Sequence, residues 1–382
     1  MGRLLVLLPG EGFGEAGALA LRVAGAAAGL GVEVAVAAQE PARDRLRAGS
    51  PPAGALALVD PPLPRNRGPS GVVRQAQAEA TSAVLAAARP DAALLSLPWP
   101  DSGAGAMAAL AVAALPVLVL LHLAPRGGPR PVALDDAALA DAAAMRAEWV
   151  AVSGPVAARA GRLLGLPEGR VAVIPPGAER PRPADRAACR AALRERLAVA
   201  AETPVALHLG PLEAAKGADR LFGIAEGFAA RCGGVVACSG EGILEAALRE
   251  PAGEDYPLRM LGHDRDPAAL LAGADLLVLP SRLEGAPTTF LEAALAGLPV
   301  AASEEALEAL GAEAERVAAL ADGDDGPAMA RAMAECLDRS GPAAGRAEAA
   351  RRLALTQDAG AMTARYLGRL RRLGALGAAE GG

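Results

Sequence analysis

The chain has one lysine, one asparagine, three histidines and four cysteines among its 382 residues. The cysteines, Cys189, Cys232, Cys238 and Cys336, form no C-x-x-C pair. With so few histidines they make no recognisable zinc set, and reduced thiols of a cytoplasmic protein are the reading that fits. Excess positive charge is also missing. The net charge is −6 and the pI is near 5.4, with the arginines dispersed among acids, which speaks against nucleic acid as a partner. The apolar run at residues 1–9 is too short for a secretory segment and lacks its polar lead and cleavage pattern, so it reads as a strand. The longest uncharged candidate for a membrane span, residues 103–124, is divided by Pro116. An alanine-rich helical half and a Val/Leu strand half result, not a span.

What is abundant points to a large globular chain. Hydrophobic residues make up 52% and charged ones 21%, enough for two cores of about 150–200 residues each. All but one of the 38 basic side chains are arginine, beside 45 glycines and 31 prolines. This bias fits a GC-rich coding sequence in which lysine drifts to arginine wherever charge alone suffices. Lys216 then marks a place that needs the compact ammonium.

Apolar runs bounded by Gly and Pro alternate with amphipathic stretches, the pattern of strand–helix–strand units in parallel sheets. A first series of strands is expected near residues 4–8, 32–37, 92–95, 117–121, 149–152 and 171–174, with helices at 16–29, 72–89 and 135–146. A second series is expected near 205–209, 235–239, 258–261, 276–279, 300–302 and 317–320. Between them, residues 175–183 hold four prolines and Gly177, which break regular structure. A charged helix at 185–198 follows. The expected organisation is a first domain at 1–180, a linker at 181–203, a second domain at 204–355, a C-terminal helix at 356–373 and a loose tail at 374–382.

Several turns carry residues able to do chemistry. Residues 12–17 follow the first strand and match G-x-G-x-x-G, and Glu40 stands near the end of the second strand, where a ribose-binding acid would sit. A dinucleotide site is one reading, and the small residues any parallel sheet needs at its first turn are the other. In the second half, residues 281–292 follow a strand and open a helix, with Glu284 in the turn and Glu292 inside the helix. The stretch Ala286, Pro287, Thr288 and Thr289 forms the helix N-terminus, whose free backbone N–H groups, Pro287 having none, suit a phosphate oxygen. Taken alone, Glu284 could equally be a helix-start acid and Glu292 a solvated one. Residues 210–217, with Gly210 and Lys216, and residues 239–242, with Gly240, occupy the same carboxyl edge of the expected sheet. Cation, amides and carboxylates together are what a sugar nucleotide needs, neutralising its diphosphate and accepting from its hydroxyls. Asp264-Arg265-Asp266 forms a D-x-D, but Asp266 before Pro267 reads as a helix cap, so no metal is expected.

The order of these motifs resembles that of the retaining glycosyltransferases of family 4 (glycosyl transferases group 1). Residues 210–217 match the family's G-R-x-x-x-x-K-G turn, 239–242 its G-x-G, 284–292 its E-x7-E and 293–300 the run ending in G-x-P-V. In the first half Val152-Ser153 and residues 174–177 look like the V-S and I-P-N-G markers. The likeness covers roughly 300 residues. It departs at Pro211, where the family has a phosphate-binding arginine, at Pro176 and Glu179, and at Val32, where the family has histidine.

The resemblance implies an α/β protein of the GT-B fold, two Rossmann-like domains with parallel sheets facing a central cleft, the first for the acceptor and the second for the donor. It implies transfer of a sugar from a nucleotide diphosphate sugar to an acceptor hydroxyl with retention, without metal or cofactor. The implied catalytic residues are His122, Glu284 and Lys216. Donor-binding residues would be Gly14, Gly210, Gly240, His263, Ala286, Pro287, Thr288, Thr289 and Glu292. His122, after the strand at 117–121, is expected to face the cleft, and Arg282 stands as a candidate replacement for the arginine lost at Pro211. Arg65, Arg67, Arg126 and Arg130 are candidates for peripheral contact with the inner face of a membrane, against the plainer reading of solvated loop charge. Two rivals remain: a GT-B protein that binds a sugar nucleotide or partner transferase without transfer, motivated by Pro211, and an NAD(P)-dependent oxidoreductase resting on residues 12–17.

Overall fold

A computed structural model describes residues 2–10, 14–47, 56–66, 68–181, 185–250, 256–264, 266–338 and 341–375. The chain divides into two compact units, Met1–Pro175 with Ala361–Gly382, and Pro176–Gly360. Among the described residues each unit holds one parallel sheet.

The first sheet contains β1 (Arg3–Leu8), β2 (Glu33–Ala38), β3 (Leu56–Leu58), β4 (Ala92–Leu97), β5 (Val117–Leu121), β6 (Ala147–Ala151) and β7 (Val171–Val173) in the order β3-β2-β1-β4-β5-β6-β7. The second contains β8 (Val205–Leu209), β9 (Val235–Ser239), β10 (Leu258–Gly262), β11 (Leu276–Leu279), β12 (Val300–Ala302) and β13 (Ala319–Leu320) in the order β10-β9-β8-β11-β12-β13. Both wind outward from a central pair and reverse direction there, between β1 and β4 and between β8 and β11. In such sheets the crevice for a ligand opens at the carboxyl ends of the pair where the winding reverses.

Helices on both faces explain why the central strands read as unbroken apolar runs. In the second unit Val205, Leu207, Leu277 and Leu279 face one core with Phe290 and Leu298. Their neighbours Ala206, Val236, Cys238 and Val278 face the other, with Phe228 and Met333. Burial pushes the thiols of Cys238 and Cys336 up to about 12, so they remain protonated and unreactive.

The stretch at 103–124 divides as its proline requires, into the helix Ala104–Ala113 and β5. Among the described residues no helix is long and apolar enough to cross a membrane. Two strand expectations need correction. β3 was not anticipated, being three half-exposed residues at a sheet edge. Val317 ends a short helix, Ala314–Val317, and the strand begins at Ala319.

The chain passes between the units twice, after Pro175 and after Gly360. On the second unit these passages lie side by side, with Ala178 N donating to Gln357 O at 3.0 Å. Residues 182–184 of the proline-rich stretch lie outside the described residues. The following helix, Arg186–Leu197, is capped by Asp185 and buries Leu193 and Leu197 in the second core. The C-terminal helix Ala359–Arg372 places Met362, Tyr366 and Leu370 in the first core. Ala375, expected in the loose tail, is fully buried there; residues 376–382 lie outside the described residues.

One buried charge cluster fastens the second sheet at its amino edge. Asp275 accepts from Arg194 at 2.6 Å and from the backbone N–H of Val205 at 2.8 Å, and pairs with Arg190. Arg194, 3% exposed, also donates to the carbonyls of Gly273 and Thr203. The helix before β8 is thereby tied to the starts of β8 and β11. Asp275→Ala leaves Arg194 buried without its countercharge and is expected to cost about 3–5 kcal/mol. Urea unfolding followed by circular dichroism checks this; an unchanged midpoint would show that Arg194 reaches water.

Candidate functional site

The turns after β8 and β11 leave the reversal of the second sheet and lie against each other. After β8, the short 3-10 turn Ala214–Lys216 ends at Gly217, which has φ of +70°. A Cβ on Gly217 would stand 2.0 Å from the carbonyl oxygen of Pro280, so both the backbone conformation and the approach require glycine. Across this contact the N–H groups of Arg282 and Leu283 donate to Ala215 O at 2.9 and 3.1 Å.

That approach brings Lys216 and Glu284 together. Lys216 Nζ lies 2.6 Å from Glu284 Oε2, with side chains 18% and 11% exposed. The other carboxylate oxygen, Oε1, accepts from Ser281 Oγ at 2.8 Å. Ser281 O in turn accepts from Ser303 Oγ at 2.6 Å. Glu284 is therefore a positioned carboxylate in a half-buried pair, not a solvated helix-start acid.

The glycine turns join the same edge. Gly210 N donates to Ser239 O, Leu212 N to Glu241 O and Gly240 N to Gly262 O, at 2.9–3.1 Å. A Cβ on Gly240 would fall 1.8 Å from Gly210 O. His263 is exposed just beyond β10. The helix Thr288–Leu295 starts at the same edge and buries Phe290, Leu291, Ala293 and Ala294, which leaves Glu292 on its exposed face. Ala286 and Pro287 are buried and Thr288 and Thr289 half-buried. Lys216, Glu284, the glycine turns and the helix start thus share one edge of one sheet.

Arg282, the candidate replacement for the arginine lost at Pro211, is engaged by two carboxylates. Its guanidinium pairs with Asp219 at 2.6 Å and Asp324 at 2.9 Å. Arg220, missed in the sequence, donates to Pro280 O at 2.6 Å and holds Asp324 through Nε and Nη2 at 2.8 and 2.5 Å. Hydrogen bonding from Arg220 brings the Asp324 carboxyl down to about 2. The only sequence sign of this cluster was the acidic run at 322–325, which by itself reads as a solvated turn.

On the first unit, His122 follows β5 and its ring is largely buried, 7% exposed. Its Nε2 lies 3.0 Å from Ser96 Oγ, and Ser96 was not singled out in the sequence. Burial lowers the His122 pKa to about 4. Gly14 caps the helix Glu15–Ala28, and among the described residues nothing lies within 4 Å of the place its Cβ would take. Gly12 and Phe13 of the G-x-G-x-x-G lie outside the described residues. Glu40 opens the helix Glu40–Arg47 and bonds Arg47 at 3.1 Å, with Arg43 Nε at 3.5 Å. Its carboxylate is therefore engaged, which weakens the dinucleotide reading.

Asp266 caps the helix Pro267–Gly273 through Ala269 N at 3.0 Å, and Asp264 pairs with Arg196; Arg265 lies outside the described residues. Among the loop arginines, Arg130 pairs with Asp136 at 2.9 Å, and Arg67 lies outside the described residues.

The chain resembles known proteins in sequence profile over part of its length and in fold. The sequence profile of the family described as Glycosyl transferases group 1 matches residues 203–339, the span that holds the turns above. No curated protein matches the chain in sequence. Among solved structures, HepE of Anabaena in complex with UDP-glucose is 18% identical, with a TM-score of 0.75 over 97% of this chain and 100% of that one. Sucrose-phosphate synthase from Thermosynechococcus elongatus is 16% identical, with a TM-score of 0.74 over 98% and 100%. WaaG, a glycosyltransferase involved in lipopolysaccharide biosynthesis, is 19% identical, with a TM-score of 0.71 over 95% and 98%. The fold is GT-B, two Rossmann-like domains with sheets of seven and six parallel strands.

The buried histidines generate a pH dependence. His208 in β8 is 2% exposed, and its pKa is lowered to about 4, chiefly by burial and further by the Lys216 charge, against a weak hydrogen bond to Val278 O. Unfolding releases His122 and His208 to about 6.5. Between those values the unfolded chain takes up protons that the folded chain refuses. The stability they contribute is thus full above pH 6.5 and lost as pH falls toward 4. Unfolding midpoints at pH 7 and pH 5 should differ accordingly, and His208→Gln should shrink the difference. An unaltered difference would assign it to other groups.

Proposed function

We propose that this protein is a retaining glycosyltransferase that takes its sugar from a nucleotide diphosphate sugar and gives it to an acceptor hydroxyl. The half-buried Lys216–Glu284 pair at the reversal of the second sheet carries the reading. The family profile over residues 203–339 and the UDP-glucose complex of HepE support it and make UDP-glucose the first donor to try.

In this reading Lys216 meets the diphosphate, where its charge stabilises the leaving group as the glycosidic bond breaks. The amides around Thr288 and Thr289 add partial positive charge. Glu284, held by Ser281, accepts from sugar hydroxyls, and Glu292 accepts from the ribose. Gly14, Gly210 and Gly240 leave room for the ligand to approach backbone, and His263 borders the base. The first unit supplies His122 for a sugar or acceptor hydroxyl. The leaving phosphate oxygen receives the acceptor's proton on the face it departs from, which gives retention. The chemistry needs no metal or cofactor, and a cytoplasmic site supplies nucleotide sugars.

A second reading, donor binding without transfer, is favoured by one observation. Pro211 stands where the family has arginine, and the nearby Arg220 and Arg282 are committed to Asp324 and Asp219. Lys216 then carries the leaving group's charge without a second guanidinium from this turn.

Thermal shift with UDP-sugars, GDP-sugars and NAD separately tests the ligand class, and only a sugar nucleotide should raise the melting temperature. With the responsive donor, Lys216→Ala should cost about 2–4 kcal/mol of transition-state stabilisation, and Lys216→Arg should also lose transfer. Pro211→Arg should raise it. Transfer by Lys216→Ala at the parent rate would remove the lysine from the reaction, and binding without transfer in the parent would favour the second reading. Glu292→Gln should weaken donor binding by about tenfold or more, as expected for one lost charge-assisted hydrogen bond. Calorimetric titration measures this, and unchanged affinity would take Glu292 out of the site.

A further inference from the structure

His122 has a neighbour that decides which of its ring nitrogens bears the proton. Ser96, 1% exposed in β4, lies between the first turn of the helix Glu15–Ala28 and the residue that follows β5. Its Oγ is 3.0 Å from Ala16 O and 3.0 Å from His122 Nε2. A carbonyl oxygen can only accept, so the single hydroxyl proton of Ser96 is used toward Ala16. The remaining contact must then run the other way, with the ring's Nε2–H donating to the Ser96 oxygen. A neutral imidazole has one N–H, so Nδ1 is left with its lone pair. Two backbone bonds hold the geometry, His122 N to Leu97 O at 3.2 Å and Leu123 N to Pro98 O at 3.0 Å.

We infer that Ser96 is a positioning residue that locks His122 in the Nε2–H tautomer, so that Nδ1 is offered to substrate as a hydrogen-bond acceptor. The consequence is a specificity. A nitrogen lone pair takes a hydrogen-bond donor and repels a carboxylate or phosphate oxygen, so the group recognised here is a donor, which on a sugar or its acceptor is a hydroxyl. Burial keeps the ring neutral, and a charged imidazolium would reverse this preference. The pair also lies at the reversal between β1 and β4, the counterpart of the place where Lys216 and Glu284 meet on the second sheet.

The tautomer clause rests on the first unit alone, and the substrate clause rests on the proposed glycosyl transfer. Long-range proton–nitrogen correlation spectra of histidine-labelled protein at pH 7 test the first. With three histidines in the chain, the spectrum of His122→Gln identifies the His122 signals by their loss. The expected result is the Nε2–H pattern in the parent, kept in Ser96→Thr and replaced by a tautomer mixture in Ser96→Ala. An Nδ1–H or doubly protonated His122 in the parent, or an unmixed Nε2–H pattern in Ser96→Ala, overturns the inference. For the second clause, transfer from UDP-glucose should fall about tenfold in kcat in Ser96→Ala and recover in Ser96→Thr, with melting temperature as the control for folding. A kcat unchanged in Ser96→Ala despite a mixed tautomer overturns the substrate clause. If the parent binds no nucleotide sugar, the proposed function falls, while the spectra still decide the tautomer.

Discussion

The approach of Gly217 to the carbonyl of Pro280 is the constraint on which the second unit's site depends. Two loops from neighbouring strands meet there backbone to backbone, at a distance that no Cβ permits. Once they meet, Arg282 and Leu283 bond Ala215, Arg220 reaches Pro280, and the Lys216 ammonium arrives at Glu284. None of these contacts has sequence-local support, because the partners lie 60 or more residues apart. The glycine makes the site possible, and the ion pair is its product.

Charge at this edge is divided between structure and chemistry. Arg220 and Arg282 both engage Asp324, and Arg282 also engages Asp219, a network that binds the loops after β8, β11 and β13. These pairs lie partly in solvent, so each contributes modestly to stability, and their effect is to fix where the loops stand. Lys216 differs in pairing with a carboxylate that Ser281 also holds. An arginine fork at that short turn would bring five donors and a longer plane to a place where a compact ammonium meets Glu284. That gives a physical reason for the lysine to persist in a chain otherwise rich in arginine.

The sequence was most informative where periodicity and punctuation act locally. β5, β8, β9, β11 and β12 coincide with their apolar runs because both faces are covered, and the helix Arg186–Leu197 begins after the Asp185 that caps it. The edge strand β3 carried no such signal, being short and half-exposed. For the site, the glycines, Lys216 and Glu284 were legible as a motif order, but their partners were not. Ser96, Ser281, Arg220 and Asp324 are residue types common on any surface, and their roles come from tertiary neighbours. Glu40 shows the converse, a residue at a motif's spacing whose carboxylate is engaged by arginines of its own helix.

The two sheets share a winding order but place different chemistry at its reversal. At β1 and β4 these side-chain hydrogen bonds join neutral groups: Ser96 with His122, and Gln39, Asn66 and Gln77 tied to the carbonyls of Pro9 and Ser102, with the carboxyl of Asp101 in the same turn. At β8 and β11 they are charged. A neutral lattice with fixed donors and acceptors distinguishes hydroxyl patterns, since each wrong match leaves a buried polar group unsatisfied. A half-buried ion pair suits a group that changes charge during reaction, as a departing diphosphate does. Under the proposed reaction the first unit selects by hydroxyl geometry and the second carries the charge that bond breaking releases. The single asparagine of the chain then lies on the selecting side, and the single lysine on the reacting one.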